Sequence, residues 1–139
     1  MENAYDHAIA KIKRAIGRPG KILIAEDEEL TRTILSGFFK EHGYTVFEGM
    51  DGEEALTAYK EHQDISLIIT DIKMPKMDGI ELIRAIREEN KTIPIIILTA
   101  YPDYEGLHKI EFTGWIALVE KPFELTDIES IFNAFSKGE

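Results

Sequence analysis

The 139-residue chain contains no cysteine, which excludes disulfides and thiolate metal sites and suits a reducing compartment, the cytoplasm. Long apolar runs are missing too. The longest hold five or six residues, against the ~20 that span a bilayer, and the N-terminus lacks a signal peptide's apolar centre. Positive charge is scarce: 16 Lys and Arg face 26 Asp and Glu, for a net charge of −10. That balance argues against a nucleic-acid surface unless basic residues cluster. They do so only at Lys11, Lys13, Arg14, Arg18 and Lys21, a density that reads as a solvated helix face. No Gly-rich phosphate loop follows the first apolar run, and acids take its place, which disfavours a dinucleotide enzyme. The acidity serves solubility and divalent cations instead. At this length a single domain buries roughly two-thirds of its unfolded surface, so one core suffices.

From Lys21 onward, short runs rich in Ile, Val and Leu alternate with longer segments of helical period. That alternation predicts an α/β domain whose parallel sheet is covered on both faces. Five strands are expected, at about 21–25, 44–48, 65–70, 95–99 and 115–119. The first helix, about 28–42, should bury Leu30, Ile34, Leu35 and Phe38, and Gly43 stops it. The second starts at Asp51 as N-cap and turns Ala55, Leu56 and Tyr59 inward. The third starts at Asp78, buries Ile80, Leu82, Ile83 and Ile86, and closes at Asn90. A fourth, about 103–113, is interrupted by Pro102, Gly106 and Thr113, which marks it as the mobile element. The fifth, about 125–136, repeats Leu125, Ile128, Ile131, Phe132 and Phe135. Residues 1–20 precede this unit as an extra amphipathic helix with Tyr5, Ala8, Ile9, Ile12 and Ile16 along one stripe, ended by Gly17 and Pro19. That stripe must be buried on its own domain, on a second copy or on another partner.

Polar residues stand at the ends of four of these runs: Glu26 and Asp27, Asp71, Thr99, and Lys121. Parallel strands of an open sheet present their carboxyl ends on one edge, where ligands bind. Consecutive Glu26 and Asp27 point in different directions, so one can hold a metal directly and the other through water. With Asp71 they offer the hard oxygen ligands of Mg²⁺, which keeps waters for an incoming phosphate. Three clustered carboxylates repel, and a divalent cation relieves that repulsion. Asp71 can act as nucleophile toward a phosphoryl group, while Thr99 and Lys121 supply a hydroxyl donor and a compact cation for its oxygens.

This ordered set resembles the receiver domain of two-component response regulators over about residues 21–136. The first-strand Glu26, Asp27 and Glu28, the loop from Asp71 to Gly79, Thr99 with Ala100, and Lys121 with Pro122 and Phe123 carry the resemblance. It implies a flavodoxin-like (βα)₅ fold with strand order 2-1-3-4-5. It also implies that Asp71 accepts a phosphoryl group from a phosphohistidine on a sensor kinase or phosphotransfer protein. Mg²⁺, for which Mn²⁺ or Ca²⁺ can substitute, would be held by Asp27, Asp71 and the backbone carbonyl of Lys73, with Glu26 holding a metal-bound water. Thr99 would contact the acyl phosphate, Lys121 would pair with it, and the bond before Pro122 would be cis.

The chain departs from the family three residues before Lys121, where the usual Tyr or Phe switch is Leu118. With Trp115 and Ile116, Leu118 leaves an apolar edge that either caps the core or contacts a partner or second copy. Lys73 and Tyr101, two residues beyond Asp71 and Thr99, flank the line of water attack and are expected to lengthen the phosphoryl lifetime. The chain is therefore read as a phosphoacceptor switch or relay module and not as an enzyme that turns over a metabolite. It would act in the cytoplasm on a downstream output protein, without binding nucleic acid or membrane. Only residues 137–139 follow the fifth helix as a tail, so the unit stands alone or belongs to a longer chain. A phosphatase using two Asp spaced by one residue is disfavoured because position 73 is Lys. A phosphorylation-independent binding module is the alternative that Leu118 favours.

Overall fold

The computed structural model describes residues 20–41, 43–102, 106–107 and 116–136. Five parallel strands, β1 (Lys21–Ala25), β2 (Thr45–Gly49), β3 (Leu67–Asp71), β4 (Ile95–Thr99) and β5 (Ile116–Glu120), form one sheet in the order β2-β1-β3-β4-β5. Four helices are described: α1 (Glu29–Glu41), α2 (Gly52–Glu61), α3 (Gly79–Glu89) and α4 (Leu125–Ser136). The period-two alternation of the strands feeds two cores. Leu23, Ala25, Ile68, Ile95 and Ile97 face α2 and α3. Ile22, Ile24, Leu67, Ile69, Ile96 and Leu98 face α1 and α4. β3 and β4 are buried along their whole length, as parallel strands covered on both sides must be. Among the described residues no helix is long and apolar enough to cross a membrane.

The local signals near the helix ends act as the sequence predicts. Asp51 Oδ1 accepts from the Glu54 amide at 2.8 Å. Asp78 and Glu81 form a reciprocal capping box at α3, satisfying amides that the first helical turn leaves without partners. Gly43, at φ 90°, closes α1 with bonds from its own amide to Lys40 and from the Tyr44 amide to Phe39. This paired arrangement favours glycine at the left-handed position.

Several expectations are corrected. Leu30 and Ile34 do not enter the core: they are 72% and 50% exposed, whereas Leu35, Ser36 and Phe39 are buried. The apolar residues of α1 span a wider arc than the sheet covers, and the Leu35–Phe39 side is the one that meets it. β3 runs over 67–71 rather than 65–70, because Leu67 pairs with Ile22 and Asp71 with Leu98. Ile65 is buried ahead of the strand. β2 begins and ends one residue later than expected, and β5 reaches one residue further, to Glu120. Of the fourth helix expected at 103–113 only Gly106 and Leu107 are described, as a short 3₁₀ turn. The remainder, residues 1–19 with the leader stripe, Trp115, and residues 137–139 lie outside the described residues.

Candidate functional site

The carboxyl ends of β1, β3, β4 and β5 place the polar residues together. The Glu26 amide continues the ladder by donating to Gly49 O at 3.0 Å. This extended backbone turns Glu26 inward and Asp27 outward: Glu26 is fully buried and Asp27 exposed. Carboxylate oxygens of Glu26, Asp27 and Asp71 lie within 4.8 Å of one another. Asp71 Oδ1 accepts from the Ile72 amide at 2.7 Å. Lys121 Nζ reaches Glu26 Oε1 at 2.6 Å and Asp71 Oδ2 at 2.9 Å, with Glu28 Oε1 at 3.7 Å.

The electrostatics follow from burial. Loss of solvent pushes the Glu26 carboxyl up to about 7, against the pull of Lys121 and with the help of the neighbouring Asp71. Burial also works against the Lys121 charge, but its hydrogen bonds to Glu26 and Asp71 hold the ammonium above its ordinary range. Thr99 is fully buried, and its Oγ1 accepts from the Tyr101 amide at 2.8 Å, which leaves the hydroxyl hydrogen as a donor. The Thr99 carbonyl accepts from the Lys121 amide at 2.7 Å, and the Lys121–Pro122 peptide is cis.

The loop after Asp71 is clamped from both sides. The Gly79 amide donates to Ile72 O at 2.7 Å, and a Cβ on Gly79 would stand 2.0 Å from Asp71 O. A Cβ on Gly52 would stand 2.2 Å from Met77 O. Lys76 adopts φ 68° in a three-residue turn closed by Met77 N to Pro75 O at 2.8 Å, the strained form of γ-turn. Lys73 Nζ lies over the Tyr101 ring, 4.1 Å from its centroid. Leu118 is 46% exposed on β5.

Arg32 was not singled out by the sequence pattern, and Glu28 was named only as part of the first-strand acidic motif. Arg32 donates from Nη1 to the Glu26 carbonyl at 2.8 Å and pairs through Nε with Glu48 at 3.3 Å, bracing the acidic turn. Glu28, besides facing Lys121, accepts from Thr31 Oγ1 at 2.5 Å; that bond, then Lys121, lowers its carboxyl below the usual range. Arg32 carried no signal, since nothing in helical spacing ties it to a backbone carbonyl six residues earlier.

The family model of the response regulator receiver domain matches residues 22–133. The chain belongs to this family. Receiver domains of known structure superpose well on it. One from Clostridium thermocellum gives a TM-score of 0.73 at 25% identity, covering 86% of this chain and 95% of that one. A chain of the CheX–CheY–BeF₃–Mg²⁺ complex of Borrelia burgdorferi gives 0.71 at 30% identity, covering 85% and 90%. Among curated relatives, the transcriptional regulatory protein PdtaR of Mycobacterium tuberculosis is 36% identical over 111 residues, 79% of this chain and 53% of that protein. Sporulation initiation phosphotransferase F of Bacillus subtilis is 34% identical over 109 residues, 78% of this chain and 86% of that protein. This receiver domain thus spans about half of the former and most of the latter.

Proposed function

We propose that this receiver domain accepts a phosphoryl group on Asp71 from a phosphohistidine of a sensor kinase or phosphotransfer protein. The observation that carries the reading is the 2.9 Å contact of Lys121 Nζ with Asp71 Oδ2, beside the acidic cluster. An Asp71 carboxylate oxygen attacks phosphorus, the P–N bond breaks, and the imidazole leaves and takes up a proton. Hydrolysis reverses the gain: water attacks phosphorus, the P–O bond breaks, and the carboxylate is regenerated.

Glu26, Asp27 and Asp71 have the hard-oxygen chemistry and mutual distance that suit Mg²⁺, which Asp27, Asp71 and the Lys73 carbonyl would hold directly and Glu26 through a bound water. When bound, the ion supplies positive charge to the phosphoryl oxygens. Lys121 releases Glu26 and pairs with a phosphoryl oxygen, and the Thr99 hydroxyl donates to another. The name of the Bacillus relative supports a relay role. Lys73 and Tyr101, stacked on one another, screen water from the acyl phosphate and lengthen its life. Residues 1–20 are a leader, 21–136 the receiver and 137–139 a tail, in a cytoplasmic protein that passes its state to an output partner or a second copy.

Incubation with acetyl phosphate and Mg²⁺ tests the reading. A one-phosphoryl mass gain that is labile at alkaline pH and absent in Asp71→Asn is expected; an unmodified chain overturns it. The half-exposed Leu118 favours a second reading, a binding module indifferent to phosphorylation. That reading predicts partner affinity equal with and without the phosphoryl group.

A further inference from the structure

The outer side of α1 presents Leu30 and Ile34 to solvent, 72% and 50% exposed. Ile34 forms one wall of a groove of about 410 Å³ whose other wall is Pro122, Phe123 and Leu125. We propose that residues 1–19 of this same chain dock as a helix in that groove, seating the Tyr5, Ile9, Ile12 and Ile16 stripe against Ile34, Phe123 and Leu125.

Charge favours this occupant. Residues 1–19 contain four basic and two acidic residues, so residues 20–139 hold 12 basic and 24 acidic. Glu28 lines the groove, the exposed acids Glu29, Glu124 and Asp127 lie within two residues of its lining residues in the chain, and on a helical projection Lys11 and Lys13 fall on either side of the stripe. Opposite charges along the two rims orient the helix and disfavour a second acidic body in its place.

Reach and direction agree. Gly20 is anchored at the start of the sheet, where its carbonyl accepts from the Thr45 amide at 3.1 Å. From there Gly17 and Pro19 allow the chain to turn back along the α1 face. As a helix, Tyr5 to Ile16 covers roughly 17 Å and the 13 residues of α1 about 20 Å. The stripe therefore extends from the start of the strands toward the groove. Because Lys121 and Glu28 also line that groove, the docked segment stands beside the approach to Asp71.

The test uses the full chain, whose lack of cysteine allows a single spin label at Thr33→Cys, an exposed position on α1 adjacent in sequence to Ile34. Amide NMR signals of residues 5–16 should lose most of their intensity at every protein concentration. The same label at Lys60→Cys, on α2 of the opposite face, should spare them. Adding Ile34→Asp should restore the signals while the strand amides stay dispersed, as the half-exposed position permits. Unchanged signals for residues 5–16 overturn the proposal. So does broadening seen only between spin-labelled and isotope-labelled copies, which would make a second chain the occupant. Neither outcome depends on whether Asp71 takes a phosphoryl group.

Discussion

Lys121 Nζ stands 2.9 Å from Asp71 Oδ2 although 50 residues separate them in the chain, and the same ammonium is 2.6 Å from Glu26. One cation therefore holds two buried carboxylates together. Removing it in Lys121→Met should cost about 2 kcal/mol at neutral pH, the penalty of leaving buried acids without their donor. Mg²⁺ should restore more stability to this variant than to the parent. Urea unfolding with and without Mg²⁺ measures both, and equal stabilisation of the two proteins would contradict the shared site.

Glu26 gives the site a pH dependence. Its carboxyl rises from 4.5 to about 7 in the folded chain, chiefly through burial. The folded state thus binds the proton more tightly than the unfolded one. This group's stabilisation of the metal-free chain is complete below pH 4.5 and is lost as pH rises toward 7. Mg²⁺ requires the ionised form, so its affinity should fall about tenfold per pH unit below that point and level off above it. Calorimetric titration on both sides of neutrality checks this, and a flat profile would remove Glu26 from the metal site.

Glycine at position 79 is required by proximity. A Cβ there would meet Asp71 O at 2.0 Å, whereas one at Gly37 meets nothing within 4 Å. Gly79→Ala should lose ~3 kcal/mol or more by displacing the acceptor strand end. Gly37→Ala, in the exposed middle of α1, should gain ~0.5–1 kcal/mol. Chemical denaturation of the two variants should give opposite signs.

The stack of Lys73 on Tyr101 makes their effects on phosphoryl lifetime interdependent. In the Lys73→Asn, Tyr101→Ala double variant the acyl phosphate should hydrolyse faster than in the parent. The two single changes should fall short of additivity, since either one dissolves the cation–π contact. Decay of the mass-shifted species follows the lifetime; slower hydrolysis in the double variant would defeat the screening role.

Strand-rich Ile, Val and Leu runs alternating with 3.6-residue periods were enough to locate the five strands and the four described helices, because burial on both faces of a parallel sheet leaves that pattern in the chain. Asp51, Asp78 and Gly43 announced helix ends for equally local reasons. The polar residues at run ends were legible because a parallel sheet brings strand ends to one edge. Tertiary packing alone selected Leu35 and Phe39 over Leu30 and Ile34 for the core, since both sets satisfy the same helical spacing. It also recruited Arg32 to the acidic turn and raised the Glu26 carboxyl. Periodicity records which side chains share a face, but burial and charge interaction depend on distances between segments far apart in the chain, and only the folded sheet sets those.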